Sequence, residues 1–254
     1  MVDKWKIALK EFLKEYEEDD DVIGALLCGS YAHETSTINS DIDVQLLLKN
    51  DASYKVRGVT ECNSFLIEYF FDTEDGIKQR MQREYEEGKN TISRVFGYGK
   101  IIYDVEGKVK ELQDLGLSYI DKPLITITNN KLNKNNYLIW ERHNSLKDAL
   151  QYNVQTFENL YYVLIQTILD SYCEYIGICK LPYTKAYKIL TDEEYRKKHK
   201  RFQIPEKKFI ELYKNCYEKD KMNIMYDNVT NLMNYYYEKQ GGFNIRTFKL
   251  KEEL

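Results

Sequence analysis

Asp41 and Asp43 stand two residues apart in Ser40-Asp41-Ile42-Asp43, just ahead of the apolar run Val44-Gln45-Leu46-Leu47-Leu48. On a strand, side chains two apart point to one face, so the two carboxylates lie side by side. Like charges crowded on a buried sheet repel and lose hydration. A divalent cation repairs this, and oxygen-only ligands suit magnesium or manganese rather than zinc. A third acid is expected on an adjacent strand. Glu68 is the candidate, as the one charged residue in Phe65-Leu66-Ile67-Glu68-Tyr69-Phe70-Phe71. A carboxylate in so apolar a stretch is costly unless a metal or partner uses it. Glu61 and Asp72 compete for the role; Asp72 shares the face of Glu68 but lies at the strand end.

Gly29-Ser30 follows a second apolar run, Val22 to Cys28. Glycine lets a backbone approach a ligand closely. The Ser30 hydroxyl and the N–H groups of a short helix start are suited to phosphate oxygens. A phosphate cradle beside paired acids points to phosphoryl transfer. Two Mg²⁺ ions about 3.5–4 Å apart would bridge the carboxylates, one activating a hydroxyl and one neutralising leaving pyrophosphate.

The elements that must position these groups follow from hydrophobic period. Lys4 to Tyr16 reads as an amphipathic helix through Trp5, Ala8, Leu9, Phe12 and Leu13. Strands are expected over Val22 to Cys28, Asp41 to Leu48, Val59 to Phe71 and Lys100 to Tyr103. Helices are expected over Thr73 to Glu87, with Glu74 and Asp75 in the first turn, and over Gly107 to Leu115. From about Asn135 the pattern turns helical, with runs through Val154 to Ile176, Pro205 to Glu218 and Met222 to Gln240. Gly177 and Gly241-Gly242 follow two of these as helix stops. The expectation is an α+β part over 1–125 and a helical, acceptor-binding part over 126–254.

Composition sets the outer bounds. The 254 residues are 43% hydrophobic and 31% charged, which implies a packed core. The net charge of -4 argues against an extensive nucleic-acid surface. The run Arg196-Lys197-Lys198-His199-Lys200-Arg201 is expected to be a solvated helix face. No stretch approaches the roughly 18 apolar residues of a membrane span. The five cysteines are scattered without a C-x-x-C pair, which fits a reducing cytoplasm better than a disulfide scaffold or zinc site.

The segment from Gly29 to Asp43 resembles the DNA polymerase β-like nucleotidyltransferase superfamily. The family pattern is G-S-x-A-x-G, then S-D-x-D, with a third acid on a later strand. Gly29, Ser30, Ala32, Ser40, Asp41 and Asp43 match it in type and spacing; Glu34 stands where the family usually has glycine. The resemblance implies a short mixed sheet with helices, followed by a helical domain. That order of parts is similar to the antibiotic nucleotidyltransferases, which modify aminoglycosides or lincosamides. It implies metal binding and catalysis by Asp41, Asp43 and Glu68, and nucleotide binding by Gly29, Ser30 and Ser40. An NTP such as ATP would be the donor, a hydroxyl-bearing molecule the acceptor, and a homodimer the assembly. The alternatives are an enzyme acting on protein or tRNA, and a non-catalytic nucleotide-binding relative.

Overall fold

The computed structural model describes residues 4–124, 126–152 and 154–250. The chain divides into two compact units, Met1–Pro123 and Leu124–Leu254.

The first unit is built on a five-stranded mixed sheet. In chain order its strands are β1 (Val22–Cys28), β2 (Ile42–Leu48), β3 (Val56–Cys62), β4 (Phe65–Thr73) and β5 (Lys100–Asp104). Their spatial order is β3-β4-β2-β1-β5. Only the β2–β4 pair is parallel; the others are antiparallel. All seven residues of β1 are buried, as a strand covered on both faces requires, and this explains its unbroken apolar sequence.

Helix α1 (Lys4–Glu17) lays Leu9, Phe12 and Leu13 on one face of the sheet, against Ala25, Leu27, Val44, Leu46 and Ile67. The opposite face carries Leu26 and Leu47. It is covered by α3 (Glu74–Glu86), α4 (Thr91–Tyr98) and α5 (Lys108–Asp121) through Ile77, Met81, Phe96 and Leu112. Thr73 caps α3 by accepting from the Gly76 N–H at 3.2 Å. The four-residue α2 (Gly29–Ala32) links β1 to the loop before β2.

One expectation is corrected here, and one helix is added. The strand expected over Val59 to Phe71 is two strands, β3 and β4, joined by a tight turn at Asn63-Ser64. Both turn residues have positive φ, 49° and 67°, as a two-residue hairpin turn matched to strand twist demands. The apolar segment from Thr91 contains a helix, α4, that its pattern did not announce. Gly116 of α5 lets that helix approach: a Cβ there would lie 2.6 Å from the Ser93 carbonyl.

The second unit is helical. Its main members are α6 (Asn129–Tyr152), α7 (Val154–Tyr175), α10 (Lys207–Asn215) and α11 (Met222–Lys239), with short α8 (Ala186–Thr191) and α9 (Glu193–Lys198) between α7 and α10. Helix α6 begins six residues before the expected Asn135, with the Thr128 hydroxyl accepting from the Lys131 N–H at 3.2 Å. The core is unusually phenolic. Tyr161, Tyr172, Tyr213 and Tyr236 are fully buried with Phe157 and Phe209. Tyr172 stacks on Phe209 with ring centroids 3.7 Å apart. Tyr161 donates its hydroxyl proton to the Cys216 carbonyl at 2.7 Å. The basic run is a solvated face in part: Lys197 and Lys198 of α9 pair with Glu193 and Glu194 one turn back.

Candidate active site

Asp43 lies in β2, opposite Cys28 at the end of β1 and beside Glu68 of β4. Asp41 immediately precedes β2. The parallel β2–β4 register therefore brings Glu68 to the neighbouring Asp41 and Asp43 at one end of the sheet. One oxygen from each of Asp41, Asp43 and Glu68 lies within 4.8 Å of the others. All three side chains are partly buried. The set is all-oxygen and of one charge, so it fits a hard divalent cation.

Gly29 shows why a glycine precedes this cluster. Its φ is +65°, and a Cβ there would sit 1.7 Å from Asp43 Oδ2. The carboxylate occupies the place a side chain would need. Next in line, Ser30 is half-buried at the start of α2, and its hydroxyl has no hydrogen-bond partner among the described residues. The Thr35 N–H donates to the Ser30 carbonyl at 3.0 Å and closes the loop. Glu34 takes φ 58°, so the position is one where glycine is the low-cost residue. Its carboxylate reaches out to Lys100 at 3.1 Å.

Ser40 has a different setting. Its hydroxyl accepts from the Thr37 N–H at 2.8 Å, and its own N–H donates to the Thr37 carbonyl at 3.1 Å. It fastens the turn that delivers Asp41. Glu61 is exposed on β3, and Asp72 is buried in an ion pair with Lys55 at 2.7 Å. Neither joins the cluster. Cys28, behind Asp43, is inert: burial, and then the Asp43 charge, push its thiol well above the ordinary range.

Sequence reasoning missed Arg57. It lies on β3 and donates to Glu68 Oε1 through Nη2 at 2.7 Å and Nε at 3.2 Å. Its guanidinium also sits 5.2 Å from the Phe70 ring centre. The pairing is diagonal across the β3–β4 hairpin, so its only signal was the turn at Asn63-Ser64.

A carboxylate trio at the mouth of a Gly-Ser turn on a mixed sheet is now in place. Residues 8–106 match the family model of the nucleotidyltransferase domain. That span holds the whole cluster, the glycine turn and all five strands. The α+β architecture is that of the nucleotidyltransferase fold. Among solved structures, a nucleotidyltransferase-like protein from Exiguobacterium sibiricum 255-15 is similar at 8% identity and a TM-score of 0.46, covering 93% of this chain and 77% of that one. No curated protein matches the sequence. No helix among the described residues is long and apolar enough to cross a membrane.

Proposed function

We propose that the protein is a divalent-metal-dependent nucleotidyltransferase that moves a nucleoside monophosphate from an NTP to an acceptor hydroxyl. The observation that carries this reading is the convergence of Asp41, Asp43 and Glu68 within 4.8 Å inside the matched nucleotidyltransferase domain. Asp41, Asp43 and Glu68 would hold magnesium or manganese, which when bound supplies charge neutralisation for the triphosphate and a more acidic acceptor hydroxyl.

The chain's own residues do the rest. Gly29, whose missing side chain admits the Asp43 carboxylate, brings its backbone up to the triphosphate, and Ser30 donates its hydroxyl to a phosphate oxygen. The acceptor oxygen bonds to the α-phosphorus, the bond to the bridging oxygen breaks, and pyrophosphate leaves. The acceptor proton passes to Glu68, whose carboxylate Arg57 holds in place. Ser40 acts on the nucleotide through the turn that fixes Asp41. The acceptor is a small hydroxyl-bearing molecule of the aminoglycoside or lincosamide type; what supports this is the order of parts, a catalytic sheet unit and then a helical one. Cys28, Cys173 and Cys216 are buried thiols outside any disulfide, which suits a reducing compartment.

The non-catalytic reading rested on Glu34. The left-handed φ of Glu34 weakens it, because the turn keeps the backbone that glycine would adopt. The test is transfer from an α-phosphate-labelled NTP, with pyrophosphate release followed in parallel. Asp41→Asn and Asp43→Asn should each cut turnover at least a thousandfold, about 4 kcal/mol of transition-state stabilisation. They should also leave the circular dichroism spectrum unchanged. Turnover near that of the unmodified protein in either variant would overturn the assignment.

A further inference from the structure

A cavity of about 360 Å³ opens between α6 and α7 within the helical unit. That is within the size range of small-molecule sites. Two contacts fix how the helices face each other. Arg142 of α6 donates to the Thr167 hydroxyl of α7, and Asn135 of α6 donates to Glu174 Oε2 of α7 at 2.7 Å. Both index pairs sum to 309, so the helices run antiparallel in register and Leu138 faces Asp170 and Ser171. From Lys131 to Arg142 the groove extends roughly 16 Å along α6.

The charges along it are not equivalent. Glu174 is fully engaged: Asn135 takes one oxygen and Lys180, at 2.7 Å, takes the other. Asp170 is different. Its Oδ1 accepts from the Gln166 amide at 2.7 Å, while its second oxygen has no partner among the described residues. Burial pushes this carboxyl above its ordinary range, the sign of a half-desolvated acid short of donors. Arg142 has one partner, Thr167, and its remaining N–H groups have none among the described residues. An open acceptor therefore stands near an open donor, with Leu138 and Val163 as apolar wall.

Charge selects the ligand class. An ammonium group donating to Asp170 would meet Arg142 toward one end of the groove and Lys131 and Lys180 toward the other. A phosphate or carboxylate on Arg142 would meet Asp170. A hydroxyl suits both, because it donates to a carboxylate and accepts from a guanidinium at once.

We propose that this groove binds a neutral polyhydroxylated molecule of monosaccharide size, with hydroxyls donating to Asp170 and accepting from Arg142. The site goes beyond nucleotidyl transfer and is tested without metal or NTP. A polycationic acceptor would have to be held elsewhere.

The experiment is ligand-observed saturation-transfer NMR on the full chain. The probes are glucose, myo-inositol, glucosamine and glucose 6-phosphate. At least one neutral probe should bind, and more tightly than the amine and the phosphate. Asp170→Asn and Arg142→Gln should each weaken its binding about tenfold, the loss of one charge-assisted hydrogen bond. Both variants should keep the helical circular dichroism signal, since neither removes an apolar core group. Three results would overturn the proposal: no transfer to either neutral probe, neutral-probe binding untouched by both variants, or tighter binding of the amine or phosphate.

Discussion

Gly29 and Asp43 constrain each other at the scale of single atoms. The hydrogen in place of a side chain on Gly29 is the space that the Asp43 carboxylate fills. Gly29→Ala should therefore act twice. It forces a left-handed φ on alanine, about 1–2 kcal/mol, and it drives a methyl into Oδ2. The expected result is a lower melting temperature together with lost nucleotidyl transfer. A normal transfer rate in Gly29→Ala would show that Asp43 need not sit where it does. The three acids were legible in the sequence because type and period coincide: two aspartates two apart, and one glutamate in an apolar strand. Arg57 was not legible, because its role depends on a pairing across strands rather than on its own neighbours.

At the scale of elements, the β3–β4 hairpin decides what the site looks like, and it was the element least visible beforehand. Phe65 to Phe71 read correctly as strand, but Val59 to Cys62 was merged with it. The reason is the turn. Asn63-Ser64 contains no glycine, yet both residues hold positive φ. Two-residue turns of this kind favour Asn-Gly, because serine carries a Cβ into the left-handed region. Ser64→Gly should then raise stability by about 1 kcal/mol, with transfer activity intact, as read by urea denaturation at constant m-value. A fall in stability would mean that the turn geometry differs. Helix α4 escaped notice because it is short: its stripe of Ile92, Val95 and Phe96 spans barely two turns and is punctuated by Gly97 and Gly99. The long helices of the second unit were plain from their period; the first turns of α6 and the short α8 were not. The groove between α6 and α7 was not, since it depends on which charges of one helix face which of the other.

At the scale of the molecule, each unit has its own core. Sheet and covering helices share two clusters in the first, and the phenolic cluster fills the second. Heat should unfold them in two calorimetric transitions. Adding manganese alone should move only the transition of the first unit, because the acid trio lies wholly within it, and Asp43→Asn should abolish that shift. A single transition that moves as a whole would mean that the units unfold together.

The buried phenols carry one more consequence. In an unfolded chain, tyrosine ionises near pH 10. Burial, the largest influence in each case, holds the hydroxyls of Tyr161, Tyr172, Tyr213, Tyr236 and Tyr237 well above that. Between the two values the unfolded chain has lost protons that the folded one retains, so stability drains away as pH rises through 10. Hydroxide thus weighs most on the helical unit, which holds more of these phenols than the sheet unit with its Tyr103. Each phenol freed by unfolding ionises at once, so phenolate absorbance should climb in one steep step together with the loss of helical ellipticity, and the residues that build this core become the optical gauge of its collapse.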